Sequence, residues 1–80
     1  MGKEKNIFEF GSIIFEGEYL NGKRNGKGRE FYFGNGNLLF EGEYLNGKRN
    51  GKGREYNYHG QIIFEGEYLN GKRLDRKGIK

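Results

Sequence analysis

The feature that most constrains this chain is an internal repeat. The segment Phe15 to Glu30 recurs without a change at Phe40 to Glu55, and its first ten residues recur at Phe64 to Arg73. Repeats of this length are typical of arrays in which each unit packs on its neighbours. We therefore treat residues 1–80 as a single array, with units at about 15–39 and 40–63, half units at 7–14 and 64–73, and a basic C-terminal tail at 74–80.

Each unit has the pattern of two β-strands joined by a tight turn. The stretch Ile13 to Leu20 is rich in β-forming residues and leads into Asn21-Gly22. Asn-Gly is a strong hairpin signal because a type I′ turn needs positive φ at both central residues. The second strand, roughly Lys27 to Phe33, ends at the turn sequence Gly34 to Asn37. Glycine recurs too often for a helix, at a cost of about 1 kcal/mol each, so the predicted fold class is all-β.

Alternation along these strands gives the two faces of a sheet different chemistry. In the first unit, one face carries Ile13, Phe15, Gly17 and Tyr19, and the other carries Ile14, Glu16, Glu18 and Leu20.

The register of the two strands raises a conflict. A two-residue turn would place Glu16 opposite Lys27, but it would also put Phe31 on the glutamate face, whereas the next turn favours Phe31 beside Phe40. We therefore predict a bulge or a wider turn between Asn21 and Gly28, where the glycines tolerate it. Tyr56 and Tyr58 are expected to join the ladder of aromatic side chains.

The repeat resembles the MORN repeat (membrane occupation and recognition nexus) in its variant form. That family's pattern is aromatic-Glu-Gly-Glu-aromatic, a short gap, Gly-Lys and then Gly-x-Gly. The third copy departs from it at Leu74-Asp75-Arg76. The resemblance implies an elongated single-layer antiparallel sheet of stacked β-hairpin repeats. The repeat-defining residues are Phe15, Gly17, Tyr19, Gly22, Gly26, Gly28, Phe40, Gly42, Tyr44, Gly47, Gly51, Gly53, Phe64, Gly66, Tyr68 and Gly71.

The composition excludes most catalytic centres. The chain has no Cys and a single His, His59, so it can form neither a Cys nucleophile nor a Cys/His zinc site. The segment Gly22 to Gly26 lacks the spacing and the hydroxyl residue of a P-loop. Glu16, Glu18 and their copies are expected to be solvated cross-strand partners. We predict no enzymatic activity, no catalytic, cofactor-binding or metal-binding residue, no cofactor and no small-molecule substrate.

Cations recur beside the predicted turns, and the formal net charge is +4. We expect them at one edge of successive hairpins, where they are candidates for contact with acidic lipids or other anions. The alternative is that they only solubilise the turns. Aromatic residues interleaved with basic ones also occur in single-strand nucleic-acid platforms, but packing is the expected role of these aromatics, so nucleic acid is disfavoured as a partner. The candidate anion contacts are Lys23, Arg24, Lys27, Arg29, Lys48, Arg49, Lys52, Arg54, Lys72 and Arg73.

The leading functional hypothesis is a non-enzymatic repeat scaffold or protein-interaction module, because a repeated sheet offers a long contact surface. The resemblance implies the same role, with another protein or a second copy of the chain as partner. One alternative is a tether to acidic phospholipids such as phosphoinositides. The resemblance implies two more, a regulatory repeat segment of a larger enzyme such as a lipid kinase and an antitoxin-like protein. The expected location is the cytoplasm, at the membrane periphery under the tether hypothesis.

Overall fold

The computed structural model describes residues 4–10 and 13–74, with side chains described for residues 14–74. It shows one open antiparallel sheet whose seven strands follow chain order, in a slab of 39 × 29 × 16 Å. The predicted all-β sheet of stacked hairpins is confirmed. Within the described ranges, no helix is long and apolar enough to cross a membrane. The strands are β1 Glu4–Phe10, β2 Ile13–Leu20, β3 Lys23–Tyr32, β4 Leu38–Leu45, β5 Lys48–Tyr56, β6 Ile62–Leu69 and β7 Lys72–Leu74.

The Asn-Gly pairs form the predicted two-residue turns. Asn21 and Gly22 have φ angles of 53° and 79°, the signature of a type I′ turn, and the turns at 46–47 and 70–71 repeat it. Leu74, which the sequence places in the tail, ends β7, and residues 75–80 lie outside the described part of the chain.

A bulge lies inside the predicted interval between Asn21 and Gly28. Gly17 pairs with Gly28 and Tyr19 with Arg24, so residues 25–27 of β3 lie opposite Glu18 alone. The same shift recurs between β4 and β5. It moves the partner of Glu16 from the expected Lys27 to Arg29.

This bulge does not settle the position of Phe31, contrary to our expectation. Because it adds two residues, the alternation is unchanged and Phe31 stays on the glutamate face, paired with Ile14. The single-residue insertion lies instead at Leu39, since Glu30 pairs with Phe40 but Phe31 pairs with Leu38. One extra residue reverses the alternation, and Leu39 therefore packs against the core.

The core is a row of edge-to-face aromatic rings on one face of the sheet, which we call the aromatic face. Phe15, Phe40, Tyr44 and Tyr68 are buried in it. The centroid of the Phe15 ring lies 5.2 Å from that of Tyr44, and the Phe40 and Tyr68 centroids are 5.1 Å apart. Each phenylalanine therefore packs against a tyrosine of the following unit.

Tyr56 and Tyr58 lie outside this core, contrary to prediction. The Tyr56 hydroxyl donates to Glu41 Oε2 at 2.8 Å. The Tyr58 ring is half exposed and lies edge-on to Tyr32 at a centroid separation of 5.1 Å. Tyr56 pairs with Ile62, before the single-residue insertion at Ile63 reverses the alternation, and so lies on the face opposite the buried rings. Tyr58 lies beyond the end of β5, in the turn that precedes β6.

Glycine allows a single layer to bury a phenylalanine completely. The Phe15 ring lies across the paired Gly17 and Gly28, where a Cβ atom would come within 2.7 Å and 2.6 Å of its Cζ atom. The Phe40 ring lies in the same way across Gly42 and Gly53. The sheet backbone therefore covers one side of each ring.

Arginine covers the outer side of the same rings. The guanidinium carbon of Arg24 lies 4.0 Å from the Phe15 ring centroid, and that of Arg49 lies 4.1 Å from the Phe40 centroid. Such cation–π contacts are worth ~0.5–2 kcal/mol each. Arg73 lies over Phe64 at 4.9 Å.

A buried glutamate links neighbouring units on this face. The Glu30 side chain is 7% exposed, and its Oε2 accepts a hydrogen bond from the Tyr44 hydroxyl at 2.5 Å. Arg49 donates to both carboxylate oxygens, from Nη2 to Oε1 at 3.0 Å and from Nε to Oε2 at 3.2 Å. Burial, followed by the charge of Glu30, raises the pKa of Tyr44 well above its ordinary value. Tyr44 therefore stays a neutral donor.

Hydrogen bonds at the ends of the strands also join consecutive units. The Gly47 N–H donates to the Arg24 carbonyl at 2.8 Å, and the Asn46 N–H donates to Asn25 Oδ1 at 3.3 Å. At the opposite end of the strands, the Tyr32 hydroxyl donates to the Tyr56 carbonyl at 2.9 Å. The first hairpin is thus fixed to the second at both ends of the strands as well as through the core.

Candidate interaction face

The face opposite the aromatic rings, which we call the polar face, contains a groove that crosses the strands. Its volume is about 1090 Å³, and it extends from β2 to β6. The glycines of the repeat contribute backbone to it, and charged side chains line it on both sides. These side chains are Glu16, Glu18, Lys27, Arg29, Glu41, Glu43, Lys52, Arg54, Glu65 and Glu67.

The charges in the groove alternate in sign from strand to strand. Strands β2, β4 and β6 supply glutamates, while β3 and β5 supply lysine and arginine. The backbone pairing aligns them into one row, which we call the central row: Glu16, Arg29, Glu41, Arg54 and Glu65. Arg54 is held between its two neighbours, with Nη1 3.4 Å from Glu41 Oε2 and Nε 3.2 Å from Glu65 Oε2.

Apolar side chains border the groove at one end of the strands. Phe31 pairs with Ile14 and with Leu38, and Tyr56 pairs with Ile62. These five residues form what we call the apolar rim. Ile62 is 54% exposed, and the other four are partly buried.

A second rim lies at the end that carries the Asn-Gly turns. Each turn is preceded by an exposed leucine that pairs with the lysine after it. The leucines are 44–52% exposed. This Leu–Lys rim consists of Leu20, Lys23, Leu45, Lys48, Leu69 and Lys72.

The repeat of this chain matches a known protein family. A family model for the MORN repeat matches residues 15–37, 40–57 and 64–73, which is more than half of the chain. The chain belongs to the MORN repeat family. No curated protein matches it, and no solved structure matches it. MORN repeats are modules often involved in membrane or protein interactions, and the family is typically non-catalytic.

The cations of the MORN units do not share one edge, which corrects our expectation. The ten candidate anion contacts divide into three groups. Arg24, Arg49 and Arg73 lie on the aromatic face over phenylalanine rings. Lys27, Arg29, Lys52 and Arg54 lie in the groove, and Lys23, Lys48 and Lys72 lie in the Leu–Lys rim. Anion binding by any of them stays a prediction.

The arginines over the rings are also paired with carboxylates. Arg73 Nε donates to Glu55 Oε1 at 3.1 Å, and the Tyr68 hydroxyl donates to the same oxygen at 2.8 Å. Burial opposes ionisation of Glu55, but these two hydrogen bonds outweigh it and lower the pKa of the carboxyl. The aromatic face therefore uses its charges to hold the units together.

Two carboxylates of the groove hold the bulges. Glu18 Oε1 accepts the Lys27 N–H at 2.9 Å, and Glu43 Oε1 accepts the Lys52 N–H at 3.0 Å. The sequence predicts solvated cross-strand partners here and misses this role. The available signal was the glycine that precedes each lysine, since Gly26 has a φ of 100° and allows the bulge.

We find no candidate metal site among residues 14–74 of the MORN array. The His59 side chain is exposed in a turn, and its ring lies 6.0 Å from that of Tyr58. Across the described residues, no three His, Cys, Asp or Glu side chains come close enough together to hold a metal ion. The polar face presents charged side chains in the groove and apolar side chains beside it.

Proposed function

We propose that this MORN chain is a non-catalytic scaffold that binds a protein segment in the groove of its polar face. The observation that carries the proposal is the division of labour between the two faces. The aromatic face commits its arginines and the carboxylates of Glu30 and Glu55 to contacts inside the sheet. The polar face has internal contacts of its own, at the bulge carboxylates and in the ion pairs of Arg54, but its side chains line an open groove of about 1090 Å³.

The dimensions of the groove suit a protein segment. Its length of five strands corresponds to about 19 Å at about 4.8 Å per strand spacing. Only charged side chains and glycines line the groove, and charges arranged in this way select a partner by electrostatic complementarity. The apolar rim lies beside this lining and offers apolar contact to the same segment. The six groove glutamates outnumber the four groove cations, so an acidic lipid headgroup would meet a net negative surface there.

A displayed library of random peptides, selected on the intact chain, tests this proposal. We expect enriched peptides whose binding shifts the backbone amide signals of β2–β6 and is lost in an Arg29→Gln/Arg54→Gln variant. A Lys23→Gln/Lys48→Gln variant, with the same loss of charge on the Leu–Lys rim, is the matched control and should keep binding. Failure to enrich any peptide, or shifts confined to other surfaces, would contradict the proposal.

The Leu–Lys rim favours a second candidate function, contact with an acidic membrane surface. It combines exposed leucines with lysines, and a lysine near an acidic lipid surface gains about 1 kcal/mol. Co-sedimentation with vesicles of phosphatidylcholine, with and without phosphoinositide, tests this at two salt concentrations. The candidate predicts salt-sensitive binding that a Lys23→Gln/Lys48→Gln/Lys72→Gln variant loses. Binding that is equal with and without phosphoinositide would end it.

A further inference from the structure

We infer that the segment bound in the groove is an amphipathic α-helix that lies across the strands, with charges of alternating sign along one flank. This inference deepens the proposed function and rests on it. Its basis is the alternation of the central row together with the apolar rim beside it.

The direction of the groove excludes recognition by strand addition. Along β3, β4 and β5, both backbone edges already pair with neighbouring strands, so a segment that crosses them finds no free ladder groups in the groove. A helix satisfies its own backbone hydrogen bonds. It can therefore be recognised through its side chains alone, as in other helix-in-groove complexes.

The spacing of the charges favours a helix over an extended segment. Successive members of the central row are about 4.8 Å apart, because they lie on neighbouring strands. A helix presents one flank position per turn, about every 5.4 Å. The two spacings diverge by about 2.4 Å over the four intervals from Glu16 to Glu65, which long side chains can absorb. An extended segment presents one side chain to the sheet about every 6.6–6.8 Å, so its charges fall out of step within two strands.

The apolar rim fixes the side on which the helix lies. Ile14, Phe31, Leu38, Tyr56 and Ile62 border the central row on the side away from the Asn-Gly turns. An amphipathic helix carries an apolar stripe at i, i+3, i+4 and i+7. With that stripe on the apolar rim, the adjacent flank faces the central row. The charges on this flank of the helix that complement the central row follow the order Lys, Glu, Lys, Glu, Lys.

Three synthetic peptides of about 20 residues, about 30 Å as helices, test this inference by fluorescence anisotropy at low salt. The matched peptide has the apolar stripe and the alternating flank. The block peptide has the same composition with the order Lys, Lys, Lys, Glu, Glu. The third is the matched peptide with a central proline, which disrupts the helix. We expect the matched peptide to bind at least about tenfold more tightly than either of the others.

Exchanging the charges of the central row should exchange the preference. In an Arg29→Glu/Arg54→Glu variant the row is uniformly acidic, so the matched peptide should bind about tenfold more weakly and a five-lysine peptide should bind better. A Lys23→Glu/Lys48→Glu variant makes the same change of charge outside the row and is the control. If the double glutamate variant does not fold, Arg29→Gln/Arg54→Gln replaces it, with the same loss expected for the matched peptide.

Two results would overturn the inference. One is equal binding of the matched and block peptides, which would mean that the central row does not recognise the order of the charges on the helix. The other is undiminished binding of the proline peptide, which would mean that no helix is needed. Either result would leave the proposed function standing if library peptides still bind in the groove. Loss of groove binding by library peptides as well would end both.

Discussion

At the scale of the residue, the fold depends on glycines that lie beneath aromatic rings. At Gly42, a Cβ atom would come within 2.5 Å of the Lys52 carbonyl and 2.8 Å of Phe40 Cζ. A backbone carbonyl cannot move aside as the end of a side chain can. This position therefore requires glycine because of its surroundings and not because of its own φ angle.

We predict that Gly42→Ala lowers the free energy of unfolding by about 2–3 kcal/mol, the upper part of the range of about 1–3 kcal/mol for overpacked core substitutions. Gly66→Ala is the matched control, because its closest contact is Phe64 Cζ at 3.0 Å and Phe64 is only partly buried. Its loss should be clearly smaller. Urea unfolding of the two variants measures both values. Equal losses would mean that the backbone beneath the Phe40 ring shifts to accept a Cβ atom at little cost.

The buried carboxylate gives a second prediction at this scale. Glu30→Gln removes the charge that Arg49 and Tyr44 contact, and breaking a buried pair costs about 3–5 kcal/mol. We expect about 3 kcal/mol here because Arg49 keeps some exposure. Glu55→Gln should cost less, since the Glu55 side chain is 21% exposed against 7% for Glu30. The reverse order in thermal or urea unfolding would contradict the role given to burial.

At the scale of the element, the sequence predicted the hairpins but not all of their register. Asn21-Gly22 specifies its own turn locally, and glycines at 26 and 28 indicated the bulge. The insertion at Leu39 carries no such signal, because nothing in Leu38-Leu39 distinguishes the paired residue from the inserted one. The pairing of Glu30 with Phe40 depends on that insertion. The contacts of Glu30 with Tyr44 and Arg49 could therefore not be predicted from the sequence. The two faces of the cations could have been, because the Asn-Gly turn and the alternation alone place Arg24 opposite Tyr19 and Arg29 on the face of Glu16.

We predict that the carboxylate of Glu43 stabilises the bulge between β4 and β5. Glu43→Ala removes the carboxylate that accepts the Lys52 N–H. Hydrogen bonds to charged groups contribute about 1.5–3 kcal/mol, and we expect the lower end of this range because Glu43 is exposed. Glu67→Ala changes the same repeat position on β6, whose described pairing with β7 has no register shift. Its cost should stay within about 0.5 kcal/mol. Hydrogen exchange of the Lys52 amide provides a local readout, and unchanged protection in Glu43→Ala would contradict the assigned contact.

At the scale of the whole molecule, the coupled rings and charges set a window of pH in which the array is stable. Burial, and then the hydrogen bond to Glu55, raises the pKa of Tyr68 from 10.0 to about 12. The folded state therefore holds this proton more tightly than the unfolded state does, and stability is lost as the pH rises from 10 to 12. Glu55 has a lowered pKa, so its contribution is present above 4.5 and is lost as the pH falls through the lowered value.

We predict that Tyr68→Phe flattens the fall in unfolding free energy between pH 10 and 12 and leaves its dependence on acid in place. The reason is that phenylalanine has no proton to lose on unfolding. Urea unfolding at several alkaline pH values, with tyrosinate absorbance as a second signal, measures this slope. A slope in Tyr68→Phe equal to that of the unchanged chain would show that this hydroxyl does not titrate with unfolding.

We conclude that the aromatic face contributes most of the stability of the sheet, while the polar face, which we propose as the binding surface, contributes less. Two matched double substitutions on the same strands compare the faces: Arg24→Gln/Arg49→Gln on the aromatic face and Arg29→Gln/Arg54→Gln on the polar face. The measurement is the free energy of unfolding in urea. We predict a loss of about 3 kcal/mol or more for the first pair, from lost cation–π and buried charge contacts, and about 1 kcal/mol or less for the second. Equal losses, or a larger loss on the polar face, would contradict the account.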